Sequence, residues 1–373
     1  MEPVRTTILT SIMAPHRISL FNELASFEDI DLSVIYLARS DPSRRWPNHE
    51  DEMRVRHRVL REHARIRRGE AFVHVNSGLL GALRSARPQV LVAGGWDQPA
   101  HHEAHALRRS LGTRFLWWVE SNQRDRRPES ASLRRLKRSL IGTADGVVVP
   151  GRASAAYVRT LGARSDRVWI APNAVDNDFY RSRATDRRGR TGPVRFLFAG
   201  RLEPTKGLAY LLDAWSRVPG EAELAIAGLG SLDEAVHDRV SAAAMPPVRS
   251  LGHLDRDQLA RAYAEADVFV FPSVSDPWGL VLNEAMASGL PVIATSAPGA
   301  VDDLISDGEN GIVVPPFEPG ALADAMVALA SDPARRLEMG ERSSSKIRDF
   351  EPQTWAQGMR EAVLTNAPRG AVR

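Results

Sequence analysis

The sequence contains no cysteine, only three lysines and no long apolar stretch. The absence of cysteine excludes disulfides and cysteine-ligated metal sites, and it fits a reducing compartment. No apolar run approaches the roughly 20 residues that a membrane-spanning helix needs. The N-terminal residues lack the basic region and long apolar core of a signal peptide. Together these absences favour a cytoplasmic protein.

Arginine supplies nearly all of the positive charge: 46 of the 49 basic residues are arginine. The net charge of +3 is uneven, since residues 1–180 carry +8 and the remainder carries −5. A basic first half indicates an anionic partner such as phosphate or a membrane surface, or else a solvated arginine-rich surface. Because lysine is so rare in this chain, each lysine is a candidate for a specific role.

One basic segment has helical spacing. Arg134, Arg135, Lys137 and Arg138 flank leucines, which permits peripheral contact with an anionic membrane; a solvated helix is the alternative. No zinc-finger or RNA-binding motif accompanies the charge, so nucleic acid is not an expected partner.

Short apolar runs alternate with helical patterns along the 373-residue chain, a length typical of two domains. Nearly continuous apolar strands separated by helices predict parallel sheets that are buried on both faces. The predicted strands are 6–10, 32–37, 90–93, 114–119, 147–149, 168–171, 194–199, 224–227, 268–271, 292–295 and 312–314. Two such sets predict two doubly wound α/β domains.

The predicted domain boundary is a polar segment. Residues 181–193 are charged and end in Gly-Pro, which is typical of an exposed linker. We therefore place one Rossmann-like domain at 1–180 and a second at 193–351. Residues 352–373 begin with apolar positions at helical spacing and predict a terminal amphipathic helix.

In open α/β sheets, ligands bind beyond the carboxyl ends of the strands. The first motif there, FAGRLEPTKG, follows the strand 194–199. Gly200 and Gly207 allow the backbone to approach a ligand closely. Arg201 and Lys206 bracket the loop with two positive charges near a helix start. This pattern is suited to binding the oxygens of a diphosphate, whereas a solvated loop is the plainer alternative.

The second motif, PSVSDPWGLVLNEAMASGLPV, occupies residues 272–292. Ser275 or Asp276 is expected to cap the helix that follows, with a proline near its first turn. Gly279 and Leu280 would then present free backbone N–H groups, a second cradle for phosphate.

Two carboxylates of this motif are eight residues apart. If both lie on one helix, Asp276 and Glu284 fall near one face and about 12 Å apart. That separation suits one carboxylate on a sugar and the other on a ribose, and it is too wide for a pair acting on one glycosidic bond. A capped surface helix is the alternative.

With both motifs at this spacing, the sequence resembles family 4 of the retaining GT-B glycosyltransferases. The similarity also takes in APNAVD at 171–176, LGHL at 251–254 and ADVFVFPS at 266–273. It covers residues 145–350 well, and the first 140 residues only in pattern. The resemblance implies GT-B architecture, with the last helix crossing back to the N-terminal domain.

The resemblance also implies roles for individual residues. Arg201 and Lys206 would hold the diphosphate, and Glu284 would hydrogen-bond the ribose hydroxyls. The backbone at Gly279 and Leu280 would contact the phosphates.

Other implied roles concern the base and the sugar. His253 and Leu254 would lie beside the base, and the backbone at Gly200 would approach the donor. The family usually has Glu where this chain has Asp276, a residue that touches hydroxyls of the donor sugar. Because Asp is one methylene shorter, the departure affects the expected identity of the sugar.

The N-terminal domain departs further from the family. The family often has a Gly-Gly loop after its first strand, whereas this chain has IMAPHR, in which His16 and Arg17 are candidates for contact with acceptor or donor phosphate. The family commonly has a His where this chain has Glu120, which either replaces it catalytically or is a carboxylate at the edge of the core. Trp96 and Asp97 follow a strand and are expected to line the cleft.

Several strings are typical of metal sites but lack the right context. Asp176-Asn-Asp178 and Asp29-Ile-Asp31 are D-x-D strings, and HHEAH at 101–105 lacks the H-E-x-x-H order of a zinc hydrolase. We expect no metal and no cofactor beyond the nucleotide sugar. His101 and His105 are interpreted as part of a plain helix face.

The sequence therefore predicts a hexosyltransferase-type enzyme that moves a sugar, with retention, from a nucleoside diphosphate sugar to an acceptor hydroxyl. A UDP-sugar is the expected donor; the acceptor is open among small molecules, glycans and lipid-linked groups. The alternatives are a nucleotide-sugar epimerase with the same fold and a non-catalytic subunit that binds a sugar nucleotide.

Overall fold

Strands and helices alternate along the chain, as the apolar runs predict. The computed structural model describes residues 2–41, 50–69, 71–125, 129–218, 221–242 and 246–368. The strands are β1 Val4–Ile12, β2 Ile30–Ala38, β3 Arg56–Val59, β4 Arg61–Arg68, β5 Ala71–Ser77, β6 Val90–Gly94, β7 Arg114–Trp118, β8 Gly146–Val149, β9 Val168–Ile170, β10 Val194–Ala199, β11 Ala222–Ala227, β12 Val248–Gly252, β13 Val268–Phe271, β14 Val292–Thr295 and β15 Gly311–Val314. The α-helices are α1 Pro15–Leu24, α2 Leu79–Ala86, α3 Pro99–Leu107, α4 Ala131–Thr143, α5 Arg152–Thr160, α6 Asn177–Arg181, α7 Leu208–Trp215, α8 Asp233–Ala242, α9 Arg256–Glu265, α10 Leu280–Ala287, α11 Val301–Leu304, α12 Pro319–Ser331, α13 Pro333–Lys346 and α14 Pro352–Asn366.

The chain forms two units. The first takes in the described residues of Met1–Asn122, Arg127–Val175 and Pro352–Arg373, and the second takes in the described residues of Gln123–Arg126 and Asp176–Glu351. The change of unit at Val175 lies ahead of residue 180, the end of the first domain in the sequence-based division.

Ion pairs connect Asp176 and Arg124 to the rest of the second unit. Asp176 accepts a hydrogen bond from Arg256 at 2.9 Å, at the start of α9. Arg124 donates two hydrogen bonds to Asp302, at 2.6 and 2.8 Å. Such long-range pairs leave no signal in the local pattern of residues.

Each unit is built on a parallel sheet. The first unit has seven strands in the order β3-β2-β1-β6-β7-β8-β9, and the second has six in the order β12-β11-β10-β13-β14-β15. In both sheets the strand order reverses in the middle, between β1 and β6 and between β10 and β13. Ligands of doubly wound folds bind at such a reversal, beyond the carboxyl ends of the strands.

Four strands were not expected from the sequence. β4 and β5 form a separate antiparallel hairpin, while β3 and β12 are edge strands of the two large sheets. β4 is rich in arginine and its Ile66 side chain is 56% exposed. An apolar run marks a strand buried on both faces, so it does not detect strands such as these.

The terminal helix α14 belongs to the first unit and packs on α1 and β9. Trp355, Met359 and Val363 are fully buried, and the rings of Phe21 and Trp355 are 5.9 Å apart. No helix among the described residues is both long enough and apolar enough to cross a membrane.

Candidate active site

The two motif loops leave neighbouring strands of the second unit. β10 precedes the first loop and β13 precedes the second, and these strands pair in parallel on either side of the reversal. The carbonyl oxygen of Thr205 accepts hydrogen bonds from the Ser273 hydroxyl and the Val274 N–H, both at 2.9 Å. The loops are therefore joined by their backbones before any ligand is considered.

Glycine is required at two points of this junction. Gly207 has φ of +72°, and a Cβ there would lie 1.9 Å from the carbonyl oxygen of Pro272. Gly279 has φ of +103°, and a Cβ there would lie 2.7 Å from the Phe271 ring. Both positions combine the left-handed region with close contact, which only glycine tolerates.

The ammonium of Lys206 donates to Asp276, so the candidate phosphate-binding cation and the candidate sugar-binding carboxylate form an ion pair. The side chains are 14% and 13% exposed. The second carboxylate oxygen of Asp276 accepts the backbone N–H of Trp278 at 3.0 Å. Both oxygens are thus engaged in this structure.

The structure corrects the expected geometry of the second motif. Helix α10 begins at Leu280 with Gly279 as its N-cap, so neither Ser275 nor Asp276 caps it. Asp276 instead closes a turn ahead of the helix, and a separation calculated along one helix does not apply to Asp276 and Glu284. The turn-forming Pro277-Trp278 pair, not a helical turn, follows Asp276.

Glu284 lies one turn into α10 and is held by aromatic hydroxyls. The Tyr263 hydroxyl donates to its carboxylate at 2.9 Å. Burial raises the pKa of Glu284 to about 7, against the opposing effects of hydrogen bonds from Tyr263 and Tyr180 and of the Arg256 charge. Near neutral pH this carboxyl group is therefore poised between its protonated and ionised forms.

The other predicted donor contacts lie on loops at the same edge of the sheet. Gly200 and Arg201 follow β10, and Arg201 is half-buried. His253 and Leu254 follow β12, where His253 is exposed and Leu254 half-buried. A capping box at Asp255 starts α9 directly after them.

In the first unit, Glu120 and Arg17 come together at the carboxyl edge of the sheet. Arg17 donates to Glu120 at 3.1 Å and to the Thr10 hydroxyl at 2.6 Å, and it stacks 4.6 Å above the Trp118 ring. The Asn173 amide donates to the same Glu120 oxygen at 3.5 Å. Sequence reasoning named Arg17 and Glu120 separately and did not predict that they pair.

The remaining candidates of this unit differ in exposure. His16 is half-buried in the first turn of α1, and Asp97 is exposed. Trp96 is buried, with its ring 6.5 Å from that of Trp117 and Lys137 stacked 4.9 Å away. The Trp96 ring therefore packs in the core of the first unit, and its expected place in the lining of the cleft stays a prediction.

Residues of the sequences that are typical of metal sites make other contacts in the structure. Asp176 caps α6 through the Phe179 N–H at 3.1 Å, and Asp29 pairs with Arg360. His101 is fully buried, and its Nδ1–H donates to the Gly95 carbonyl oxygen at 3.0 Å. Among the described residues, no group of three His, Asp or Glu side chains could hold a metal ion.

Sequence reasoning missed Tyr263, Tyr180 and the short segment 123–125. In the sequence, Tyr263 is an ordinary position on the apolar face of α9. Only the packing of the fold shows that the Tyr263 hydroxyl contacts Glu284. In segment 123–125, Asp125 accepts a hydrogen bond from the Ser275 hydroxyl at 3.2 Å, beside the second motif.

Two parallel-sheet units, with the two motifs on loops at one sheet reversal, define the GT-B class of fold. Comparison with family models agrees with this class. The model described as Glycosyltransferase Family 4 matches residues 16–179, and that described as Glycosyl transferases group 1 matches residues 193–332. The chain belongs to the family 4 glycosyltransferases.

Individual relatives have several activities. The chain is 34% identical over 275 residues to a D-inositol 3-phosphate glycosyltransferase of Xylanimonas cellulosilytica, covering 69% of this chain and 64% of the relative. It is 29% identical over 321 residues to a glycogen synthase of Mycobacterium tuberculosis, covering 81% of this chain and 75% of that enzyme. Thus the chain matches somewhat less than two thirds of the first relative's length.

A solved structure has the same fold across nearly the whole chain. The crystal structure of Anabaena HepE in complex with UDP superposes with a TM-score of 0.77 at 18% identity, covering 96% of this chain and 99% of that one.

Proposed function

We propose that this protein is a retaining glycosyltransferase that moves a sugar from a UDP-sugar to an acceptor hydroxyl and needs no divalent metal. The observation that carries the proposal is the junction of the two motif loops at β10 and β13. It places Lys206 beside the turn that leads into the N-terminus of α10. We further propose that the second unit binds the donor and the first binds the acceptor.

Transfer breaks the bond between the anomeric carbon and a diphosphate oxygen, and forms a bond from that carbon to the acceptor oxygen, while the acceptor hydroxyl proton passes to the departing phosphate oxygen. Negative charge develops on the departing diphosphate. Lys206, Arg201 and the first N–H groups of α10 are positively polarised groups on adjoining loops, which is the arrangement that stabilises such a leaving group. These groups would take over the neutralising role that a divalent metal has in other transferases.

Two carboxylates would bind the parts of the donor on either side of the diphosphate. Glu284 would accept the ribose hydroxyls, and Asp276 would accept hydroxyls of the sugar. Because both oxygens of Asp276 are engaged by Lys206 and Trp278, it is poorly placed as a covalent nucleophile. We therefore favour front-face attack, which the family resemblance implies, as the route to retention.

Relatives suggest which substrates to test. HepE has been crystallised with UDP-glucose, which supports a uridine donor. The similarity to a D-inositol 3-phosphate glycosyltransferase and to a glycogen synthase makes inositol phosphate and α-glucan the first acceptors to try.

The test begins with calorimetric binding of UDP, ADP and GDP, followed by a panel of UDP-sugars with each acceptor. We expect UDP to bind most tightly, and the NMR coupling constant of the product to show the donor's anomeric configuration. Conversion of donor without acceptor to an epimeric sugar nucleotide would instead identify an epimerase. Binding of the donor, with neither transfer nor hydrolysis in the presence of any tested acceptor, would identify a non-catalytic binding subunit.

A further inference from the structure

A cavity of about 540 Å³ lies in the second unit, away from the motif loops. Its lining includes Val194, Asp267 and Gly289, which lie at or just before the amino ends of β10, β13 and β14. The motif loops leave the carboxyl ends of β10 and β13, so the cavity is at the opposite edge of the same sheet. We call it the linker cavity, because residues 184–190 form one of its walls.

The wall is fixed by one arginine that points into the unit. Arg187 is surrounded by the ends of two helices, and its guanidinium donates three hydrogen bonds to backbone carbonyls. The acceptors are Ala266, Ser288 and Tyr263, at 2.7, 3.0 and 2.8 Å. The predicted exposed linker is therefore anchored at its centre, and these bonds satisfy carbonyls left open at the ends of α9 and α10.

Positive charge exceeds negative charge around the cavity. Two of the cations are paired: Arg190 with Asp267 at 3.0 Å, and Arg188 with Glu341 at 3.1 Å. The charged lining residues are Arg187, Arg188, Arg190, Arg336, Arg348, Asp186, Asp267 and Glu341. The lining thus has a formal charge of +2.

Arg336 and Arg348 also line the cavity, and neither is in an ion pair among the described residues. Arg336 donates to the carbonyl oxygens of Leu329 and Ala330 at 2.6 and 2.9 Å, which occupies only one of its terminal nitrogens. Arg348 is exposed, and no hydrogen bond or ion pair of its side chain is seen within the described part of the chain. Both guanidinium groups retain N–H donors for a ligand.

The pKa shifts of two lining arginines show that their guanidinium groups are desolvated. Burial, followed by the charge of Arg190, lowers the pKa of Arg187 to about 10. Burial also lowers the pKa of Arg336, against the opposing effects of the Asp267 and Asp332 charges. A desolvated cation is stabilised by a nearby anion.

We propose that the linker cavity binds a small phosphomonoester. A phosphomonoester carries about −1.5 to −2 charges at pH 7, which matches the formal charge of the lining. Small-molecule sites are about 300–1,000 Å³, so the cavity can hold the ester group as well as the phosphate. Arginine is the residue best suited to two-point binding of phosphate oxygens, and the hydroxyls of Ser344 and Ser345 also line the space.

This site would be separate from the proposed donor site. The ligand would touch residues 184–190 on one side and α13 on the other, so it would hold the segment against the helix. Its expected effect is to stabilise the second unit and to protect the backbone amides of 184–190 from hydrogen exchange.

The test is calorimetry with inorganic phosphate and glycerol 3-phosphate on the full chain, with glycerol as the uncharged control. We expect one saturable site for glycerol 3-phosphate and none for glycerol. Arg348→Gln should weaken binding at least tenfold, and Arg188→Gln should weaken it from the opposite wall. Arg335→Gln is the matched control, since Arg335 is on the same helix as Arg336 but outside the lining.

A donor-site variant separates the two phosphate-binding proposals. Lys206→Ala should bind glycerol 3-phosphate as the wild-type protein does, even if the donor assignment is wrong. Absence of saturable binding, loss of binding in Lys206→Ala, or an equal loss in Arg335→Gln and Arg348→Gln would each overturn the linker cavity as a phosphate site.

Discussion

Asp276→Asn tests the donor site most directly, because it removes a charge while nearly conserving shape. The asparagine carbonyl can still accept the Trp278 N–H, so the turn ahead of α10 should persist. What is lost is the ion pair with Lys206, which is largely shielded from water since the two side chains are 14% and 13% exposed.

The size of each effect follows from what Asp276 contacts. A hydrogen bond between charged groups contributes about 1.5–3 kcal/mol, so we expect the unliganded second unit to lose about 2 kcal/mol of unfolding free energy. For a unit of this size that is a drop of about 4–8 °C in its melting temperature. In the free variant, Lys206 has lost the Asp276 carboxylate, and a bound diphosphate can take the place of that carboxylate.

UDP binding and sugar transfer should therefore change in opposite ways. Removing a carboxylate from beside the phosphates should leave UDP affinity unchanged or up to about tenfold tighter, a change of about 1.4 kcal/mol. Transfer should fall by about 10- to 100-fold, because the sugar hydroxyls lose a charged acceptor worth about 1.5–3 kcal/mol.

Calorimetry with UDP and with the active UDP-sugar, alongside turnover and thermal melts, measures all of these quantities. Asp213→Asn is a suitable control, since it breaks another ion pair of the same unit, with Arg239, at 40–45% exposure. A fall in UDP affinity as large as the fall in turnover would refute the division of roles. No change in any quantity would mean that the sugar-binding carboxylate lies elsewhere.

Further predictions concern the cations, the pH dependence and the metal. Arg201→Ala and Lys206→Ala should each lower turnover about 100-fold with the fold intact, since one donor to developing charge contributes about 2.7–4 kcal/mol; near-wild-type rates in both would remove the diphosphate assignment. UDP affinity should rise as pH increases through about 7, where Glu284 ionises and becomes the better acceptor for ribose hydroxyls. Tyr263→Phe removes a hydrogen bond that favours the ionised form of Glu284, so the midpoint of that pH profile should move upward. Tyr210→Phe is the control and should leave the midpoint unmoved. An unmoved midpoint in Tyr263→Phe would contradict the role of Glu284 in the pH profile. Turnover should survive chelator, and complete loss restored by magnesium or manganese would show that metal independence is wrong.

The sequence by itself determined the features that depend on neighbouring residues. The apolar runs located the core strands of both sheets, and the paired motifs identified the family and the loops that join at β10 and β13. The amphipathic spacing of Trp355, Met359 and Val363 correctly predicted a terminal helix with a buried face. These signals are local, because the period of a helix or strand and the chemistry of a loop are written in consecutive residues.

Tertiary structure decided what depends on residues far apart in the chain. Asp276 fits the pattern of a helix cap, but the contact with Lys206, 70 residues away, places it in a turn ahead of the helix. The Tyr263 hydroxyl on Glu284 and the Arg187 anchor behind the sheet likewise join separate elements. No period or spacing encodes such contacts, since they arise only when packing brings the side chains together and removes them from water.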